Sequence, residues 1–244
     1  MTVTGQGKDT VGALRGLADG RSSVRLRAAL ALGTAPDPEY VDALVERCAV
    51  EPEFFVRDML TWALTRHPVS MTLPALLREV RSERAQARSQ ALHTLSKIGD
   101  RRAWPAITRA LLADADDEVA RSAWRTAVVL VPEDERPALA AVLATQLGRG
   151  ERATRLSLSR ALVELDEVIE PELRAATMVP DPGVRAHALA TERLLRDPDA
   201  GFESAIEEAK RVVALGGPGQ EGQERQPSWE GQQSQGGQQS QEGQ

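Results

Sequence analysis

Apolar positions along the chain repeat one motif. An apolar or small residue followed by Arg recurs at Val24-Arg25, Val56-Arg57, Ala87-Arg88, Ala120-Arg121, Thr154-Arg155 and Val184-Arg185, with Arg-to-Arg spacings of 32, 31, 33, 34 and 30. Three residues past each Arg stands an apolar side chain: Ala28, Leu60, Ala91, Trp124, Leu158 and Ala188. Seven past, Leu32, Leu64, Leu95, Val128 and Leu162 continue the stripe, and Glu192 breaks it, so the last unit is atypical. Positions −1, +3 and +7 from the Arg share one face of an α-helix. No strand-type alternation interrupts the series.

Each unit then shows a break and a second helical run. The breaks are Pro36-Asp37-Pro38, His67-Pro68, Gly99-Asp100, Pro132-Glu133-Asp134, Glu170-Pro171 and Asp197-Pro198. Proline ends one helix and suits the first turn of the next. The second runs are Tyr40–Ala49, Leu73–Val80, Ala103–Ala113, Ala138–Leu147, Leu173–Met178 and Phe202–Val213. Acidic turns such as Asp114-Ala115-Asp116-Asp117 and Asp181-Pro182-Gly183 precede the next first helix, where they cap it and suit its dipole. A helix pair of about 32 residues has no private core and must bury its stripes against its neighbours. The expected fold is all-α: a right-handed α-solenoid of about six helix–turn–helix repeats over residues 11–213, between a flexible N-terminus (1–10) and a disordered tail (214–244).

The order of an acidic turn, Val-Arg, an Ala/Leu-rich helix, a turn and a second helix resembles the HEAT-like repeats of the phycobilisome-lyase type. It is clearest in Asp181–Ala190 and Ser22–Gly33. Arg57–Pro68 with Arg88–Trp104 is similar to HEAT segments attached to MerR-like transcription regulators, although no winged-helix portion accompanies it here. The resemblance implies the fold and is nearly silent on activity.

Composition agrees. Aromatics are 3% and hydrophobic residues 41%, with Ala, Leu, Arg and Glu as the main filling. The last 29 residues hold 10 Gln and 8 Gly, with Trp229 as their large apolar residue, too little to offset ordering entropy. Cys48 is the single cysteine, which excludes an intrachain disulfide or a CxxC motif. The N-terminus has no signal-type apolar run, and the longest apolar run, Ala138–Ala144, is far too short to cross a membrane. A cytoplasmic protein is expected.

Charge is uneven beneath a net −6. Residues 51–110 carry 10 basic and 6 acidic side chains, and residues 111–135 carry 2 and 7. The repeated Arg of each unit is expected to lock an acidic turn. The helix-to-helix turns of units two and three are expected to gather Arg66, His67, Lys97, Arg101, Arg102 and Trp104 on one rim, about one helix spacing (~10 Å) apart. Arg78, Arg81 and Arg109 would join them from the inner helices, with Asp42, Glu46, Glu203, Glu207 and Glu208 acidic towards the groove ends. These nine residues are the candidate partner-binding set. Trp62 and Trp104 remain open between core packing and rim.

Mixed charge suits a protein partner, and nucleic acid, which wants a continuous cationic stripe, is disfavoured. No Walker A or GxGxxG loop occurs. HEAT-like deoxyhypusine hydroxylases hold paired irons with repeated His-Glu pairs, whereas His67, His93 and His187 here precede Pro68, Thr94 and Ala188. No cofactor, metal or catalytic residue is expected. The sequence therefore reads first as a non-enzymatic protein-binding scaffold, possible in transcriptional regulation. Its alternatives are a nucleic-acid-binding HEAT protein of the alkylation-repair glycosylase type and a HEAT-like subunit of a lyase or modifying enzyme.

Overall fold

A computed structural model describes residues 12–197 and 202–214, with the backbone alone at 202–204 and 208. The expected N-terminal segment, the tail from 215 onward, and the side chains of Glu203 and Glu208 lie outside the described residues. Within them every regular element is helical.

A short helix, α1, covers 12–16. The first helices of the six units are α2 (Ser22–Thr34), α4 (Phe54–Arg66), α6 (Ala85–Ile98), α8 (Asp117–Leu130), α10 (Arg152–Val163) and α12 (Pro182–Arg196). The second helices are α3 (Val41–Cys48), α5 (Val69–Glu79), α7 (Arg109–Leu112), α9 (Arg136–Ala144), α11 (Glu170–Ala176) and α13 (Phe202–Ala214). The first helices pack on one another in chain order, and the second helices form a row beside them. The chain is an all-helical solenoid.

Sequence explains the stacking. The −1, +3 and +7 residues bury together: Val56, Leu60 and Leu64 on α4, and Ala87, Ala91 and Leu95 on α6. Alanines between them keep the axes close. Gly33 on α2 goes further, because a Cβ there would stand 2.8 Å from the Ala63 Cα and would run into the Trp62 ring. The acidic turns cap as expected. Asp116 accepts hydrogen bonds from the Glu118 and Val119 N–H groups, and Asp181 from those of Gly183 and Val184. Trp124 is fully buried, and its Nε1–H donates to the Leu112 carbonyl at 2.8 Å.

Two departures matter. The second run of unit three is not one helix over Ala103–Ala113. A 3₁₀ turn spans Arg101–Ala106, and α7 is a single turn begun by Thr108, whose side chain accepts from the Leu111 N–H. Pro105 has no N–H with which to carry an α-helical ladder through. The second departure is at the C-terminal end. Ala186, Ala190, Leu194, Ala205 and Ala209 form a small core of their own, apart from the main one.

Candidate binding site

The repeated arginines are structural. Five of the six lean back over the turn before their helix, whose carbonyls have no helical partner. Arg25 donates to the carbonyls of Asp19 and Gly20, Arg57 to Glu51 and Pro52, Arg88 to Ser82 and Glu83, and Arg185 to Val179 and Pro180. Arg155 reaches the Gly150 carbonyl alone. Arg25 and Arg88 also clasp a carboxylate at the far end of their own unit: Glu51 at 2.7 Å and Asp114 at 3.0 Å. Arg121 departs from the pattern and pairs with Glu118, while Arg149 takes over the unit-four turn by bonding the Asp114 carbonyl and Asp117.

The break in unit three opens a cleft. Where α7 starts late, the row of second helices recedes and leaves a hollow of about 280 Å³ beside the end of α5. Val80, Pro105, Ala106, Ala110 and Leu111 give it apolar walls, and Arg81, Arg88, Thr108 and Asp114 are its polar lining. The Arg88–Asp114 pair is settled: Nε and Nη2 go to the carboxylate and Nη1 to two carbonyls. Arg81 is exposed, and its guanidinium has no hydrogen bond or ion pair among the described residues.

The structure sorts the nine candidates. Arg66, Lys97, Arg101 and Arg109 are, like Arg81, exposed with no side-chain partner among the described residues. Arg78 is held by Asp42 at 2.8 Å, and Arg102 by Asp100 at 2.6 Å, both at the surface. Trp104 is half-buried and packs on the core. His67 is not on the rim. It is buried, its Nδ1–H donates to the Ala63 carbonyl at 2.8 Å, and its ring meets Tyr40 edge-on. The residue before a proline at a helix end turned inward rather than outward. Trp62, the other open tryptophan, is partly exposed and covers Gly33.

The remaining reactive groups are occupied by the fold. Burial, with the Glu51 charge nearby, pushes the Cys48 thiol up to about 12, so it stays protonated. His187 is buried between α10 and α12. The Gly148 N–H donates to its Nδ1 at 3.0 Å, so Nε2 carries the proton and faces Ser159 Oγ and the Arg155 carbonyl, each at 3.0 Å. Ser159 in turn meets Thr191 at 2.7 Å. This serine and histidine are both fully buried, so they are a packing network and not a nucleophile and base. His93 is half-buried, and burial, with Arg125 and Lys97 beside it, lowers its pKa against the pull of Asp58. Among the described residues no group of three or more His, Cys, Asp and Glu converges in a way that could hold a metal ion. The donor set for paired irons does not fit.

Residues 24–49 match the family described as PBS lyase HEAT-like repeat. That segment is the first helix pair, from the Val24-Arg25 motif to the end of α3. The first pair is thus a HEAT-like repeat, and five further helix pairs of the same order stack after it among the described residues. No curated protein matches it in sequence. Among solved structures, that of human deoxyhypusine hydroxylase in complex with glycerol is similar at 16% identity, covering 85% of this chain and 95% of that one, with a TM-score of 0.43.

The family match corrects two expectations. The chain was read from sequence as a non-enzymatic scaffold and as no enzyme. The repeat matched at residues 24–49 is one described from a lyase. The non-enzymatic reading is set aside on that match. Nothing in either match bears on MerR-like regulators. No helix among the described residues is long and apolar enough to cross a membrane.

Proposed function

We propose that this HEAT-repeat chain is a subunit of a lyase or protein-modifying enzyme, in which it holds the protein that is modified. One observation carries this. Arg66, Arg81, Lys97, Arg101 and Arg109 all belong to units two and three, and none has a side-chain partner among the described residues. Most other arginines of the solenoid are tied to a carboxylate or a turn carbonyl. Cations left over on adjacent units raise the local potential and steer an acidic protein into contact. The match to the PBS lyase HEAT-like repeat supports placing that surface in an enzyme.

The test is a covalent readout. The tagged full chain is used to capture its partner in the native cell, and the partner's intact mass is compared with that from cells lacking the chain. The expected result is a mass increment present only with the chain, and reduced when Arg101→Glu and Arg109→Glu are combined. A partner mass unchanged by deletion overturns the reading.

A further inference from the structure

The cleft at the unit-three break has one charged group that the fold does not use. We infer that this cleft is the seat of an acidic side chain of a bound polypeptide, gripped by Arg81. The inference rests on the proposed role in holding a protein and names what that protein presents.

The argument is one of charge and size. Arg88 and Asp114 also line the hollow, but they neutralise each other, and Arg88 commits four of its five N–H groups to Asp114 and two turn carbonyls. The polar floor is therefore fixed and offers no net charge. Arg81, at the mouth, is exposed with its guanidinium unmatched among the described residues. A carboxylate can meet it with paired N–H···O bonds, the geometry guanidinium favours. The Thr108 hydroxyl lines the same hollow and already takes the Leu111 N–H as its cap, so its own O–H is free to donate.

About 280 Å³ holds a side chain with its flanking backbone. The walls of Val80, Pro105, Ala106, Ala110 and Leu111 are small and apolar, and suit the aliphatic stem of Glu or a neighbouring Ala. The occupant is thus an acidic peptide segment. Arg109 stands between two lining residues in sequence and is exposed, which extends the positive field along the approach. A nucleic-acid strand would need cations in file with stacking faces, and the cleft walls contain no aromatic ring.

The experiment is a titration of the full chain with a fluorescent peptide of alternating Glu and Ala, read by anisotropy, beside its Gln–Ala analogue. The expected result is binding of the Glu peptide alone, weakened about 10-fold or more by Arg81→Glu. Ala110→Trp, at an exposed lining position, should fill the hollow and abolish binding while the circular dichroism spectrum stays unchanged. Arg160→Glu, an equal charge reversal on the distant α10, should leave affinity within about 2-fold.

Equal losses from Arg81→Glu and Arg160→Glu would reduce the effect to general attraction and overturn the cleft. Retained binding in a folded Ala110→Trp variant, or displacement of the peptide by oligothymidylate, would overturn it as well. The two proposals fail separately. A peptide that does not bind sinks the cleft while the partner's mass shift stands. A peptide that binds, with no mass shift in the cell, sinks the enzyme subunit and leaves the cleft.

Discussion

Between units one and two the polar group buried among the helices is an ion. Glu51 is fully buried, and it accepts from Arg25 on α2, Arg47 on α3 and the Glu53 N–H at the start of α4. Between units five and six it is a neutral ring, His187, held by Gly148, Arg155 and Ser159. Both join consecutive units, but they answer acid differently. Burial would raise the Glu51 carboxyl, but bonds from Arg25, the Glu53 N–H and Arg47 outweigh it and hold it at about 2, below the ordinary 4.5. For His187 burial dominates and lowers the ring to about 4 from 6.5, with the Arg155 carbonyl pulling the other way. The unfolded chain protonates His187 first as pH falls, so the stability it contributes is full above 6.5 and lost towards 4. The Glu51 contribution is full above 4.5 and lost towards 2. The lesson is that repeats of one architecture can have separate acid thresholds at their two ends.

The comparison is broken most severely by Glu51→Ala. It leaves Arg25, nearly buried itself, without its counter-charge, and should cost about 3–5 kcal/mol in denaturant unfolding. A loss under about 1 kcal/mol would show that the ion is dispensable. Acidification tests the other end. Moving from pH 7 to 5 should lower the amide protection factors, corrected for intrinsic exchange, in α10 and α12 while those of α2 and α4 hold. The full His187 effect is on the order of 3 kcal/mol at pH 4, and His187→Gln should remove the pH dependence. Uniform loss across the chain would merge the two thresholds.

Gly33→Ala probes the first junction without touching its charge. Its methyl meets the Ala63 backbone at 2.8 Å, so α2 must move off α4 at a cost of about 1–3 kcal/mol. The shift should appear in Trp62 fluorescence as well as in the melting temperature. Thr126→Val gives the smallest effect. Its hydroxyl lies 2.7 Å from both the Leu92 and Ser122 carbonyls, midway along the stack, and losing it should cost about 1 kcal/mol equally at pH 7 and pH 5.

The solenoid was legible because its signal repeats: Arg with apolar or small residues at three fixed offsets marks five of the six first helices, and two of the three offsets mark the sixth. The single-turn α7 was not read, although Pro105 and Thr108 announced it. Ala103–Ala113 is rich in helix formers, and propensity hid a proline and a capping threonine inside the run. The cleft was missed with it, for it exists only because that run breaks. Arg81 and Arg109 were named as groove cations, but whether a cation is free depends on partners far away in sequence, as Arg78 with Asp42 shows. His67 misled because its neighbour Pro68 marks a turn and says nothing about which way the ring points. The hydroxyl bridges did leave a trace. Thr61 meets Thr94 at 3.4 Å and Ser159 meets Thr191 at 2.7 Å, small polar residues at matching places in apolar stripes.

The backward reach of the repeated arginines has an evolutionary consequence. Arg25, Arg57, Arg88 and Arg185 each close carbonyls five and six residues before themselves, so the fastening travels inside the segment that is copied when a repeat duplicates. A newly inserted unit of this kind arrives already sealed, and the array can lengthen or shorten without inventing a new joint. Unit four is the exception. Its turn is sealed by Arg149, which precedes the next unit's first helix, so these two units must be inherited together.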